Sequence, residues 1–228
     1  MCNLLKVRWT ITPQIPPQPW LACAGCGIAR PFRSSGKARL NANGRRLDAW
    51  LIYKCTVCDK TWNRPLFERR PVQDIPPDVL AALQANESAW IRRQAFDLTA
   101  LRSHAFHIEE STEIDIDRQV LERADDWSIL LVELVVDLPV GIRLDRLLAR
   151  ELNLSRTRLQ SNHRQGRLRL DHSHPEALRR RVTDGTCVRL DLGDEANRAM
   201  IGNAAAGGSG PSRIPCSPPA GSLERAPR

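Results

Sequence analysis

Lys37-Ala-Arg-Leu-Asn-Ala-Asn-Gly-Arg-Arg-Leu-Asp-Ala-Trp-Leu-Ile-Tyr53 lies between two cysteine pairs, Cys23-Ala-Gly-Cys26 and Cys55-Thr-Val-Cys58. Asn43-Gly44 at its centre is the strongest short-range hairpin signal, because both residue types tolerate positive φ. Strands on either side would carry the chain out from the first cysteine pair and back to the second. The segment therefore reads as a β-hairpin arm that folds its own ends together.

Two C-x-x-C units separated by 28 residues have the spacing chemistry of a zinc site. Two residues between cysteines let both sulfurs of a tight knuckle turn toward one tetrahedral ion, and Gly27 suits the unusual φ needed just after it. The separation exceeds the ~15–20 residues of the common template, but the hairpin accounts for the excess. Each doubling of a closed loop costs only about 0.6 kcal/mol, against ~10–16 kcal/mol apparent for binding structural zinc in finger peptides. Two disulfides fit a reducing compartment poorly, and neither pair opens a βαβ unit as a thioredoxin-type pair would. Four thiolates leave no position for water, so Cys23, Cys26, Cys55 and Cys58 are expected to hold one structural zinc ion. Trp50, Tyr53 and Trp62, interleaved with Arg30, Arg33, Lys37, Arg39, Arg45 and Arg46, could stack on bases. The favoured reading is that these aromatics form the small core of a ribbon.

Over the whole chain, 228 residues suggest two modest units with connecting segments. The longest apolar run, Ile129 to Val136, is broken by Glu133 and falls far short of the ~20 residues of a membrane span. MCNLLKVRWT carries no secretory h-region, so a cytoplasmic protein with reduced thiols is expected. Residues 1–75 hold 13 Lys/Arg against 4 Asp/Glu, 76–137 hold 5 against 13, 138–195 hold 12 against 8, and 196–228 hold 4 against 1. The overall +8 is thus two basic blocks around an acidic one, and basic blocks favour phosphate-rich partners through counterion release.

The expected fold is α+β. Residues 1–70 form the zinc ribbon, and 71–138 form an acidic helix/strand connector, proline-punctuated from Pro71 to Pro77. Within the connector a helix starts near Asp78, Asn86 or Asp97 could cap further short helices carrying Trp90, Ile91 and Leu101, and Trp127 to Leu138 forms a buried strand. Residues 139–195 form a small α-α-β-β domain. In residues 196–228 Ala, Gly, Ser and Pro supply 21 of 33 positions, so this tail, with Cys216, is expected to be disordered.

The domain at 139–195 is built on one apolar stripe, Leu144, Leu147, Leu148 and Leu152, with Arg143, Arg146 and Arg150 off it. Ser155 is placed to cap a second helix, Gly166 to end it, Leu168 and Leu170 to alternate as a strand, and Asp184-Gly185 to turn into a strand from Thr186 to Leu192.

Arg143-Leu-Asp-Arg-Leu-Leu, Ser155-Arg156 and Gly166-Arg-Leu-Arg-Leu followed by Asp184-Gly185-Thr resemble, in order and spacing, the RNA-binding domain named after ribosomal small-subunit protein S-four. That resemblance covers about 50 residues. It implies that Arg143, Arg156, Arg158, Arg164, Arg167 and Arg169 line an RNA-facing surface, as the planar guanidinium suits phosphate and unpaired bases. Asn162 and His163 depart from it where apolar residues are usual, as does Asp171-His172 where an Asn-Gly turn is common. Separately, Phe32-Arg-Ser-Ser, Leu40-Asn-Ala-Asn-Gly and Asp48-Ala-Trp-Leu-Ile-Tyr-Lys-Cys-Thr-Val-Cys-Asp-Lys-Thr-Trp-Asn63 resemble a family of bacterial proteins catalogued as a domain of unknown function, over Trp9 to about residue 192.

No nucleophile, base and oxyanion set and no phosphate-cradling glycine loop can be argued. Glu109, Glu110, Glu113, Asp115 and Asp117 read as a solvated face, and His172 and His174 as surface histidines. A non-enzymatic protein that binds structured RNA, of the rRNA or tRNA type, without a membrane partner, is expected. The alternatives are a protein-docking or regulatory module, and an RNA-modifying enzyme whose site lies within 76–137.

Overall fold

The computed structural model describes residues 3–171, 176–193 and 195–208. In chain order the elements are β1 (Leu4–Pro13), β2 (Gln18–Ala22), β3 (Ala29–Asn43), β4 (Arg46–Cys55), β5 (Thr61–Pro71), α1 (Pro77–Ala85), α2 (Ser88–Ala95), α3 (Leu98–Arg102), β6 (His107–Glu109), β7 (Ile114–Arg123) and β8 (Ile129–Val135). There follow α4 (Leu144–Glu151), α5 (Arg156–Arg164), β9 (Leu168–Leu170), β10 (Cys187–Asp191) and α6 (Arg198–Ala205). The architecture is α+β, with two five-stranded sheets ordered β7-β1-β8-β10-β9 and β5-β4-β3-β2-β6. Among the described residues no helix is long and apolar enough to cross a membrane.

Leu5, Val7, Trp9 and Ile11 alternate along β1 and are all buried, the period of a strand with one covered face. Their partner is remote in sequence. β1 runs parallel to β8, from Leu4 opposite Ile129 to Thr10 opposite Val135, and antiparallel to β7. The strand Leu4–Pro13 therefore belongs to the sheet of the C-terminal half, and not with the cysteine ribbon where a 1–70 unit would put it. A parallel pair needs a long crossover, and here the whole second sheet with α1, α2 and α3 occupies the crossover between β1 and β8. β7 and β8, expected as connector, are strands of the same C-terminal sheet.

On the buried face of this sheet Leu144, Leu147 and Leu148 of α4, Leu159 of α5 and Ile201 of α6 join Leu130, Val132, Leu134, Val188 and Leu190 in one core. The helix α6 corrects the expectation of disorder from residue 196. Gly202 is the reason: a Cβ there would lie 2.3 Å from the Trp127 ring and 3.1 Å from Leu5. Small residues let α6 lie directly on the tryptophan, and buried Trp9 donates from Nε1 to the Ala205 carbonyl at 2.8 Å. Residues 209–228, with Cys216, lie outside the described part.

In the other sheet the hairpin turns at Gly44-Arg45, one residue later than the Asn43-Gly44 reading. Asn43 still pairs with Arg46, and Gly44 alone has a positive φ, 62°, as a II′ turn requires. Ala49, Leu51 and Tyr53 face Leu83 of α1, Ile91 of α2 and Leu101 of α3. Asp97 caps α3 by accepting from the Ala100 amide at 3.0 Å. Asn86 does not cap α2. It ends α1 in the left-handed region, and its carboxamide accepts from the Ala38 amide, pinning the helix end to the bulge in β3.

Candidate metal centre and nucleic-acid interface

The two knuckles are built alike. In the first, the Cys26 and Gly27 amides donate to the Cys23 carbonyl, and in the second the Asp59 amide donates to the Cys55 carbonyl. Gly27 and Asp59, each directly after its second cysteine, have φ of 71° and 56°. Glycine takes that conformation freely and aspartate is among the few other residues that tolerate it. Gly25 has a separate role: a Cβ there would lie 2.9 Å from the Cys58 sulfur, so only glycine lets the second knuckle close on the first.

The result brings Cys23, Cys26, Cys55 and Cys58 together with all four sulfurs within 4.8 Å of one another. Cys23 and Cys58 sulfurs are 3.4 Å apart, and Cys26 and Cys55 sulfurs 3.9 Å. A tetrahedral ion with ~2.3 Å bonds to sulfur would set these edges at about 3.8 Å. The four cysteines lie within metal-binding distance and their donor set suits zinc. As free thiols they do not behave alike. Burial acts to raise the Cys55 pKa, but amide hydrogen bonds from Cys58 and Val57 outweigh it and bring the thiol down to about 6. The neighbouring Cys58 thiol, with burial, pushes Cys26 up to about 12. Amides aimed at the Cys55 sulfur favour a thiolate there, the form that a metal needs.

The aromatics divide between the two faces. Tyr53 is fully buried, and Trp62 packs on it at 5.2 Å and on His104 at 5.7 Å. Trp50 points to the opposite face, with Arg39 5.9 Å from its ring and its Nε1 donating to Glu68. Beneath the helices Arg64 is only 1 % exposed. Its Nε and Nη1 have no hydrogen-bond partner among the described residues, and its guanidinium lies beside the Tyr53 hydroxyl. Burial pushes the Tyr53 phenol above its ordinary pKa, with the nearby Arg64 charge opposing.

In the C-terminal half the chain runs α4, α5, β9, β10, with β9 antiparallel to β10. Ser155 caps α5, its hydroxyl accepting from the Arg158 amide at 3.1 Å, and Gly166 closes that helix at φ 70°. His163 does not fill an apolar position. Its Nδ1 lies 3.1 Å from the Leu168 carbonyl, which requires the proton on Nδ1 and ties the end of α5 to β9. Asn162 is buried, and its carbonyl accepts from the Arg167 amide.

The six arginines singled out from sequence fall into two sets. Arg143 grips Asp145 through Nε at 3.1 Å and Nη2 at 2.7 Å, and Arg156 Nε lies 3.4 Å from the same carboxylate. Arg158 is ion-paired with Glu195. Arg164, Arg167 and Arg169 are exposed and have no ion pair among the described residues. The residue that sequence reasoning missed is Asp145, fully buried in the first turn of α4. Its signal was present, since an acidic residue flanked by arginines at a helix N-terminus complements the macrodipole.

Of the acidic run, three members have side-chain partners rather than only solvent. Glu110 pairs with Arg181 at 2.5 Å, Glu109 accepts from Trp20 at 3.2 Å, and Asp115 accepts from Gln14. His172 and His174 lie outside the described residues.

These features define an α+β protein in which a four-cysteine knuckle pair and an arginine-rich α-α-β-β segment share one chain. The model of a family described as "Protein of unknown function (DUF1062)" matches residues 40–174. The match spans more than half of the chain, and the chain belongs to that family. No curated protein and no solved structure matches the chain.

Proposed function

We propose that the protein is a non-enzymatic RNA-binding protein of a reducing, cytoplasmic compartment, with one structural zinc ion held by Cys23, Cys26, Cys55 and Cys58. The α4–α5–β9–β10 segment, of the type named after ribosomal small-subunit protein S-four, would make the RNA contact. The observation that carries this reading is the exposed trio Arg164, Arg167 and Arg169 at the junction of α5 and β9, free of acidic partners among the described residues. Arg169 donates from Nε to the Gly166 carbonyl at 3.0 Å, but a cation without an acidic partner is available to phosphate. Arg143 and Arg156 serve differently, holding the start of α4 to the start of α5 through Asp145. Structured RNA of the rRNA or tRNA type, recognised by shape, suits a small surface of this kind.

Crosslinking in cells, with sequencing of the RNA recovered, tests the reading. RNA enriched above background, and lost on reversing Arg164, Arg167 and Arg169 to Glu, is expected; recovery at background would overturn it. A second reading, docking of a protein, is favoured by Ile28 and Val57, which stand 54 % and 62 % exposed on the two knuckles. Exposed aliphatic residues on a rigid metal knuckle suit an apolar partner patch. That reading gains if Ile28→Ser with Val57→Ser abolishes a partner's co-purification while RNA recovery stays at background.

A further inference from the structure

A cavity of about 340 Å³ lies between the turn that joins α4 to α5 and the helix α6. Its walls are Leu152, Leu154, Met200 and Ile201, and Met200 stands 67 % exposed at its mouth. Three carboxamides line the same cavity: Asn153, Asn197 and Asn203. None of their side chains bonds to a described residue. Asn197 occupies the N-cap of α6, where an asparagine ordinarily accepts from the first amides of its helix, yet it makes no such bond. Asn153 sits in the left-handed region at φ 54°, a conformation that fixes the turn between α4 and α5. The remaining polar group, Arg158, is already neutralised by Glu195.

A ligand suited to this arrangement has apolar faces, donors and acceptors along its edge, and no charge in the cavity. Each carboxamide offers one donor group and one acceptor, the pairing that reads the edge of a base. The volume lies in the range of small-ligand sites. Leu154 leads directly into Ser155 and Arg156, so the phosphate of a nucleotide seated here would meet the N-terminus of α5, where Ser155 caps the Arg158 amide.

We propose that this cavity takes a nucleobase, which in bound RNA is an unpaired one turned out of its stack. The proposal deepens the RNA-binding reading, and rests on it for the source of the base.

Two arms test it with the full chain. In the first, adenosine and uridine 5′-monophosphates are titrated while backbone amide resonances are followed. Shifts confined to residues 152–158 and 197–204 are expected, and their absence would overturn the proposal. In the second, binding of single-stranded oligoribonucleotides is compared between wild type, Ala204→Trp, which fills the cavity from a half-buried wall, and the Asn197→Ala, Asn203→Ala double variant at its rim. Affinity is expected to fall about tenfold or more, since one base–pocket contact is worth that much, with the salt slope unchanged because no phosphate contact is lost. Equal affinity in both variants would overturn the cavity while leaving RNA binding intact. Mononucleotide shifts at the cavity without any RNA binding would instead keep the base site and overturn the RNA reading.

Discussion

The two sheets of this protein are stabilised by different means. Among the described residues the sheet built on β1 closes over 25 buried apolar residues in one cluster, while the ribbon sheet closes over ten, two of them cysteines. The first therefore removes the larger apolar surface from water, at ~25 cal/mol per Å². The second also buries Arg64, two of whose nitrogens lack a hydrogen-bond partner among the described residues, which works against it. The ribbon therefore depends on the cysteine cluster, and its insertion between β1 and β8 gives it two anchors in the more stable sheet. A module that closes on a four-cysteine cluster, set in the crossover of an apolar-packed one, can lose order locally without unfolding the whole.

Four substitutions break or sharpen that contrast. Cys55→Ser, or chelation of the wild type, should have the largest effect, because structural zinc binding is worth ~10–16 kcal/mol apparent. Hydrogen exchange is expected to become fast across β3, β4 and β5 while β1 and β8 stay protected. Uniform loss of protection would mean that the sheets are one cooperative unit.

Gly202→Val acts only on the other sheet, where even a Cβ would sit 2.3 Å from the Trp127 ring. Overpacking of this severity should cost about 3 kcal/mol. A lower melting temperature with the zinc content retained is the expected signature. Asp145→Ala removes a fully buried carboxylate, but Arg143 and Arg156 are a third to half exposed and recover water. A loss of about 2 kcal/mol is expected rather than the ~3–5 of a fully buried pair. Chemical denaturation would measure it, and an unchanged midpoint would remove Asp145 as the tie between α4 and α5.

The smallest effect has the opposite sign. Arg64→Met replaces a buried cation, two of whose nitrogens lack a hydrogen-bond partner among the described residues, with an apolar side chain of similar length, and should stabilise the ribbon by about 1 kcal/mol. Destabilisation on thermal melting would show that the contact of Arg64 with Tyr53 outweighs its unmet hydrogen bonds.

Local chemistry is what the sequence made legible. The C-x-x-C pairs, the hairpin between them, the Asp97 and Ser155 caps and the leucine stripe of α4 each announce themselves within a few residues. What it hid depends on distance. The alternation Leu5, Val7, Trp9, Ile11 marks a strand but not its partner, and the partner lies more than a hundred residues away at β8. The helix α6 was concealed by the same small residues that let it form, because Gly202 reads as a flexible-tail residue until Trp127 is known to lie beneath it. For the arginines the sequence gives position and charge, but not which ones are already satisfied. Asp145 and Glu195 decide that, and they separate Arg143, Arg156 and Arg158 from the exposed trio.

The division among arginines is the core of the functional account, and the salt dependence of RNA binding tests it most directly. Each phosphate contact to single-stranded RNA contributes about 0.7 to the slope of log K against log salt. Reversing Arg164, Arg167 and Arg169 to Glu is predicted to lower affinity and flatten that slope by about 2, with the fold and zinc content intact. A triple variant that binds RNA with the affinity and slope of the wild type would contradict the account.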